Sequence, residues 1–236
     1  EKSEITNLND RLMKMNVLIL VAIFLLGSCT ESPLEMEQED EIFSDTRSGI
    51  SPIDEALANL KTTRLGGPLL TYASLRCPPK YVIEFTSTFS IPERSMRYMG
   101  MGWVLYNPNN LQNGDLEQLA FHELFHIYKD GNDVNRVLND EIEAYMAQYI
   151  FCLSVGRPEI FKTPNDELTE NIIKLVKCMD LDSGTITSDE FASHYDKAMR
   201  AIKQCSLYQN KEGEAPWVEY PVRDISTLCN FLRSIK

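Results

Sequence analysis

At 236 residues, with 43% hydrophobic and 25% charged side chains, the chain is long enough for one globular domain with a sizeable core plus an extension. Its net charge of -12, with no basic stripe and no interleaving of arginine with aromatics, argues against nucleic acid as a partner. The acidity keeps such a protein soluble and says little about a substrate.

The first stretch reads as an address. Lys14 precedes an uninterrupted apolar run at 17–26, followed by Gly27-Ser28-Cys29. A run of about ten apolar residues is too short to span a bilayer and fits a secretory h-region. Leu26-Gly27-Ser28-Cys29, directly at the end of that run, resembles the bacterial lipobox. The resemblance implies cleavage before Cys29 and attachment of lipid to its sulfur. Residues 1–28 are therefore expected to be a signal peptide, with 1–12, upstream of Met13 and Met15, an over-extended start. Residues 29–50 form an acidic tether: Glu31, Glu35, Glu37, Glu39, Asp40, Glu41 and Asp45 come before the first basic residue, Arg47. An acidic run in this place resembles the surface-export signal of some Gram-negative lipoproteins, and a plain linker accounts for it equally well. The expected location is the cell envelope, on a bacterial membrane, through a lipid on Cys29.

The folded domain is expected over 51–236. Ser51-Pro52 is a helix start, with serine as the cap, proline in the first turn, and Ile53, Leu57 and Leu60 on one face. Gly66-Gly67-Pro68 breaks that helix. Residues 80–86 and 102–106 are rich in strand formers, and Asn107-Pro108-Asn109-Asn110 turns the chain after them. Five cysteines besides Cys29 (Cys77, Cys152, Cys178, Cys205 and Cys229) show no C-x-x-C spacing. Neither a structural zinc site nor a full disulfide framework follows, although an oxidising compartment leaves room for one or two bridges.

The most informative stretch is His122-Glu123-Leu124-Phe125-His126, which uses two of the three histidines in the chain. Leu116, Leu119, Leu124 and Ile127 recur near helical spacing, Asn113 or Asp115 can cap the start, and Gly131 can end the helix. With about 3.6 residues per turn, His122 and His126 share a face and can direct imidazole nitrogens at one ion. Glu123 sits about 100° round from His122, beside such an ion, where it can take a proton from a bound water.

This H-E-x-x-H helix resembles that of the zincin metallopeptidases, which implies Zn2+ as cofactor and a peptide or protein as substrate. The metzincin continuation is absent, because Lys129 and Asn132 stand where its glycine and histidine belong. The gluzincin type instead takes a glutamate from the following helix, here expected over 134–155 with Gly156-Arg157-Pro158 as its stop. That helix offers Glu141 and Glu143. Glu143 is the expected ligand, because Met146, Ala147 and Ile150 give it an apolar face to pack on the motif helix. It also precedes Ala144, as in the ligand helix of several small gluzincins. Glu141, about 200° away, has the less uniformly apolar neighbours Tyr145, Gln148 and Cys152. Glu143 follows His126 by seventeen residues, slightly fewer than in thermolysin-like enzymes, a gap that a shorter turn at 129–133 can absorb. The family also places a small sheet above the active cleft, whose edge strand holds the substrate backbone. That role falls here to residues 102–106.

Beyond the ligand helix the chain reads as helical. Asn165 or Asp166 starts one helix, Thr187 to Glu190 has capping-box spacing before another, and Val222, Ile225, Leu228, Leu232 and Ile235 form a last apolar stripe. The segment at 180–186 resembles a calcium loop but is one residue out of register, with Met179 and Leu181 at the first and third ligand positions. It reads as a turn. His194, downstream of the ligand helix, stands where thermolysin-like enzymes have a histidine that steadies the oxyanion, with Tyr195 and Tyr220 as competing donors.

The sequence thus predicts an α+β, mainly helical zincin-like domain with a small sheet preceding the motif helix. The expected site has His122, His126 and Glu143 on zinc, Glu123 as general base and His194 as a second catalytic residue. The expected activity is zinc-dependent peptide hydrolysis. The alternative is a surface lipoprotein that keeps the scaffold and binds zinc without cleaving peptides.

Overall fold

The computed structural model describes residues 51–77, 81–111, 114–131, 136–210 and 215–235. The signal-peptide, tether and Cys29 expectations lie outside the described residues. What is described belongs to one compact unit. It is α+β and mostly helical, with seven α-helices and a small three-stranded sheet among the described residues.

Helix α1 (Pro52–Thr62) starts as its sequence dictates: the Ser51 hydroxyl accepts from Asp54 N–H, and Ile53, Ala56 and Leu60 are buried. The glycine pair does break this helix, but Gly66 opens a second one, α2 (Gly66–Arg76). Only glycine fits at that corner, since a Cβ on Gly66 would lie 2.3 Å from the Leu60 carbonyl oxygen.

The strands are β1 (Glu84–Ser87), β2 (Met96–Tyr98) and β3 (Trp103–Tyr106), in spatial order β1-β3-β2. β3 pairs parallel with β1 and antiparallel with β2. Both edges of residues 103–106 are therefore taken, so the expectation that this segment is the substrate-holding edge is corrected. The edge strands are β1 and β2, and the one that lines the cleft is β2, which the sequence reading missed.

Helix α3 (Asp115–Asp130) carries the H-E-x-x-H run and packs on α4 (Leu138–Ser154). The Gly131 N–H closes α3 onto Ile127 O at 2.9 Å, with Gly131 in the left-handed region (φ 65°) that favours glycine. No side-chain cap opens α3, which begins instead from Gly114. Phe121, Leu124, Phe125 and Ile127 are fully buried, and Phe121 stacks on Phe151 of α4 with ring centroids 4.6 Å apart. Each large apolar side chain buried this way stabilises the fold by roughly 1.5–3 kcal/mol.

α5 (Asp166–Lys177) is capped by Asn165, whose side chain accepts from Leu168 N–H at 2.7 Å. A two-stranded hairpin follows, β4 (Met179–Asp180) with β5 (Thr185–Ile186). The Asp180 carboxylate accepts from Asp182 and Ser183, and the Arg233 guanidinium donates to the Ser183 and Gly184 carbonyls. The loop that resembles a calcium site is a turn closed by arginine. α6 (Phe191–Gln204) starts later than the capping-box spacing suggests, because both the N–H and the hydroxyl of Thr187 bond to Cys178 O. α7 (Ser226–Ser234) buries Leu228, Phe231 and Leu232, while Val222 of the expected stripe is exposed outside it. The five described cysteines are unbridged. No described helix is long and apolar enough to cross a membrane.

Candidate metal centre

Helical spacing brings His122 and His126 together, with their Nε2 atoms 3.2 Å apart. Glu141 from α4 completes the group: its Oε2 lies 3.4 Å from His122 Nε2 and its Oε1 lies 3.5 Å from His126 Nε2. A tetrahedral ion with bonds of about 2.0–2.1 Å spaces its ligand atoms about 3.3–3.4 Å apart, so these separations match one ion held by all three groups. His122, His126 and Glu141 form a group that can hold a metal ion.

The expectation for Glu143 is corrected. Glu143 is fully buried, its Oε1 accepts from Leu228 N–H at 2.7 Å, and its Oε2 pairs with Lys129 Nζ. Lys129 also reaches Asp140 Oδ1 at 2.8 Å. Leu228 is the third residue of α7, where a helix N–H has no partner of its own. A buried carboxylate needs such partners, and Glu143 finds them in the core, on the far side of α4 from the histidines. The apolar face that recommended Glu143 is the core face. Glu141, Tyr145 and Gln148, the less apolar set, line the cleft.

The electrostatics follow from the grouping. Burial pulls the His126 pKa down, but the Glu141 carboxylate, with help from Glu123 and Asp130, outweighs it and raises the value to about 9. Burial pushes Glu141 up, and the two imidazoles overcome it and hold the carboxyl far below the usual range. For Glu143 burial prevails over Lys129 and the Leu228 N–H, so its pKa is raised.

Glu123 lines the same cleft and its Oε2 accepts from Tyr98 N–H at 2.7 Å, which ties the motif helix to β2. The Tyr98 hydroxyl ties the helix end as well, donating to Gly131 O at 2.7 Å. Ser95 and Met99 turn their backbone groups to β3, so the alternate positions Met96 and Tyr98 turn theirs towards the cleft side. The cleft has a volume of about 810 Å³.

His194 does not join the site. It sits on α6, 3.7 Å from Glu190 Oε2, and does not line the cleft. Tyr195 accepts from Asn139 and Tyr220 is half exposed, both away from the cleft. The hydroxyls near the histidines are those of Tyr145 and Tyr208. Tyr208 donates to Glu141 Oε2 at 3.0 Å and lies 2.5 Å from the Tyr145 hydroxyl, and burial pushes both phenols well above their ordinary pKa. Tyr208's single proton goes to Glu141, so Tyr145 is the donor between the two phenols. Tyr145 was legible as the i+4 neighbour of Glu141. Tyr208, on a short turn after α6, carried no sequence signal.

Fold and site together define an α+β, mainly helical protein with a His-His-Glu group suited to a metal ion. No family model, curated protein or solved structure matches the chain.

Proposed function

We propose that the chain is a zinc-dependent peptide hydrolase of the gluzincin type, with His122, His126 and Glu141 as the metal ligands. The observation that carries this reading is the spacing of the three ligand atoms, 3.2 to 3.5 Å, with Glu123 beside them on the same cleft. Two imidazoles and one carboxylate are a donor set that zinc accepts while keeping a fourth position open. Zinc bound there supplies a Lewis acid and makes water more acidic.

The chain's own residues supply the rest. Glu123, steadied by Tyr98 N–H, takes the proton of the attacking water and hands it to the leaving amine. Tyr208, backed by Tyr145, orients the Glu141 carboxylate. The outward backbone groups of Met96 on β2 offer an extended peptide an edge to pair with, which aligns its scissile bond along the cleft. The lipobox resemblance at 26–29 supports a lipid anchor on Cys29 and a place on the bacterial envelope.

Metal analysis of the purified protein with a peptide-library turnover assay tests the proposal. One equivalent of zinc and zinc-dependent cleavage are expected. Stoichiometric zinc without cleavage would favour the zinc-binding surface lipoprotein, and protein that takes up no zinc overturns both readings.

A further inference from the structure

His122 Nδ1 lies 3.0 Å from Gln148 Oε1, and Gln148 Nε2 donates to Gln118 Oε1 at 2.9 Å. Gln118 Nε2 in turn donates to Ile160 O at 2.8 Å and to Asp115 Oδ1 at 3.2 Å. Both glutamines are almost completely buried, at 4% and 1% exposure for Gln118 and Gln148, so water does not stand in for a lost partner.

The direction of this chain follows from its far end. A peptide carbonyl can only accept, and the Asp115 carboxylate, 3.1 Å from the Arg94 guanidinium, accepts as well. Together they claim both N–H bonds of the Gln118 amide. Its oxygen must then face Gln148, which must answer with its own nitrogen. That leaves the Gln148 oxygen towards His122, and an oxygen there requires a proton on Nδ1. Reversing Gln118 sets its oxygen against the Ile160 and Asp115 oxygens and its nitrogen against that of Gln148, and reversing Gln148 sets its oxygen against Gln118 Oε1.

We infer that Gln118 and Gln148 are positioning residues: a two-amide relay, set by Asp115 and the Ile160 carbonyl, that keeps the His122 proton on Nδ1 and its Nε2 lone pair for the metal. The metal half rests on the proposed function, whereas the tautomer half does not. Partners of this kind fix ring orientation and tautomer, and their loss typically costs ~10–100-fold in metal affinity. Here the partner is a neutral amide whose polarity is dictated two side chains away.

Long-range proton–nitrogen NMR of histidine-labelled protein, stripped of metal and recorded at about pH 10, above the value of about 9 to which His126 is raised, reads the tautomer directly. Zinc affinity by chelator competition is measured beside it on the same proteins. Wild type is expected to show His122 with its proton on Nδ1. Gln148→Leu and Gln118→Leu should each move His122 towards the Nε2–H form and weaken zinc ~10–100-fold. Gln148→Glu, which restores an acceptor to His122, should return the Nδ1–H form. A wild type with the proton on Nε2 overturns the relay, as does a folded Gln118→Leu with unchanged tautomer and affinity. A wild type with the Nδ1–H form that takes up no zinc upholds the relay and overturns the metal reading instead.

Discussion

The Tyr98 backbone N–H donates to Glu123 Oε2 at 2.7 Å, so the edge strand grips one oxygen of the carboxylate that stands beside the two histidines. This one bond couples the motif helix to the strand that faces the cleft. It uses one oxygen of Glu123 and leaves the ligand group itself untouched.

Glu123→Gln keeps an oxygen for Tyr98 N–H but cannot accept a proton from water. Zinc content and thermal stability should stay at the wild-type level while peptide turnover falls by about 10²–10⁴-fold. Zinc stoichiometry and turnover measured on one preparation check this. Loss of zinc would make Glu123 a ligand.

The two glutamates of α4 should behave in opposite ways. Glu141→Ala removes a group 3.4 and 3.5 Å from the histidine nitrogens and should cost zinc affinity by orders of magnitude with the fold intact. Glu143→Ala takes away one of the two carboxylates that pair with Lys129, which keeps Asp140, and leaves the buried Leu228 N–H without an acceptor, and should destabilise the protein by about 1–3 kcal/mol. Zinc titration and denaturant unfolding of both variants decide it. Zinc lost first from a fully folded Glu143→Ala would reverse the assignment.

The hairpin at 179–186 should ignore calcium, because Arg233 holds the Ser183 and Gly184 carbonyls. Millimolar calcium should leave Tm unchanged, and Arg233→Ala should lower stability by about 1 kcal/mol through the lost hydrogen bonds. A calcium-dependent rise in Tm would contradict this.

Cys29 should be the lipidated residue. Labelled fatty acid fed to expressing cells should enter the wild type and not Cys29→Ala. Equal labelling of the two would refute the anchor.

The parts that were legible in the sequence are those that one element determines alone. His122, Glu123 and His126 follow from helical spacing, and the caps at Ser51 and Asn165 follow from their own hydroxyl and amide groups. The third ligand depends on how α4 is rotated against α3. That rotation is set by contacts across three helices, Lys129 to Glu143 to Leu228, which no local pattern shows. Preferring the apolar face selected the side of α4 that faces the core, whereas a metal site open to substrate needs the mixed face with Tyr145 and Gln148. β2 escaped notice because three residues, one of them Arg97, are too few to show alternation.

The bond from Glu143 to Leu228 N–H has a consequence for the order in which the molecule is built. α7 is the last helix described, yet its first turn supplies a partner that the buried face of α4 requires. Until that helix docks, the buried Glu143 carboxylate has Lys129 but lacks the N–H that its other oxygen accepts from. The face of α4 opposite Glu141 is thus completed by the last helix described, which itself lines none of the cleft.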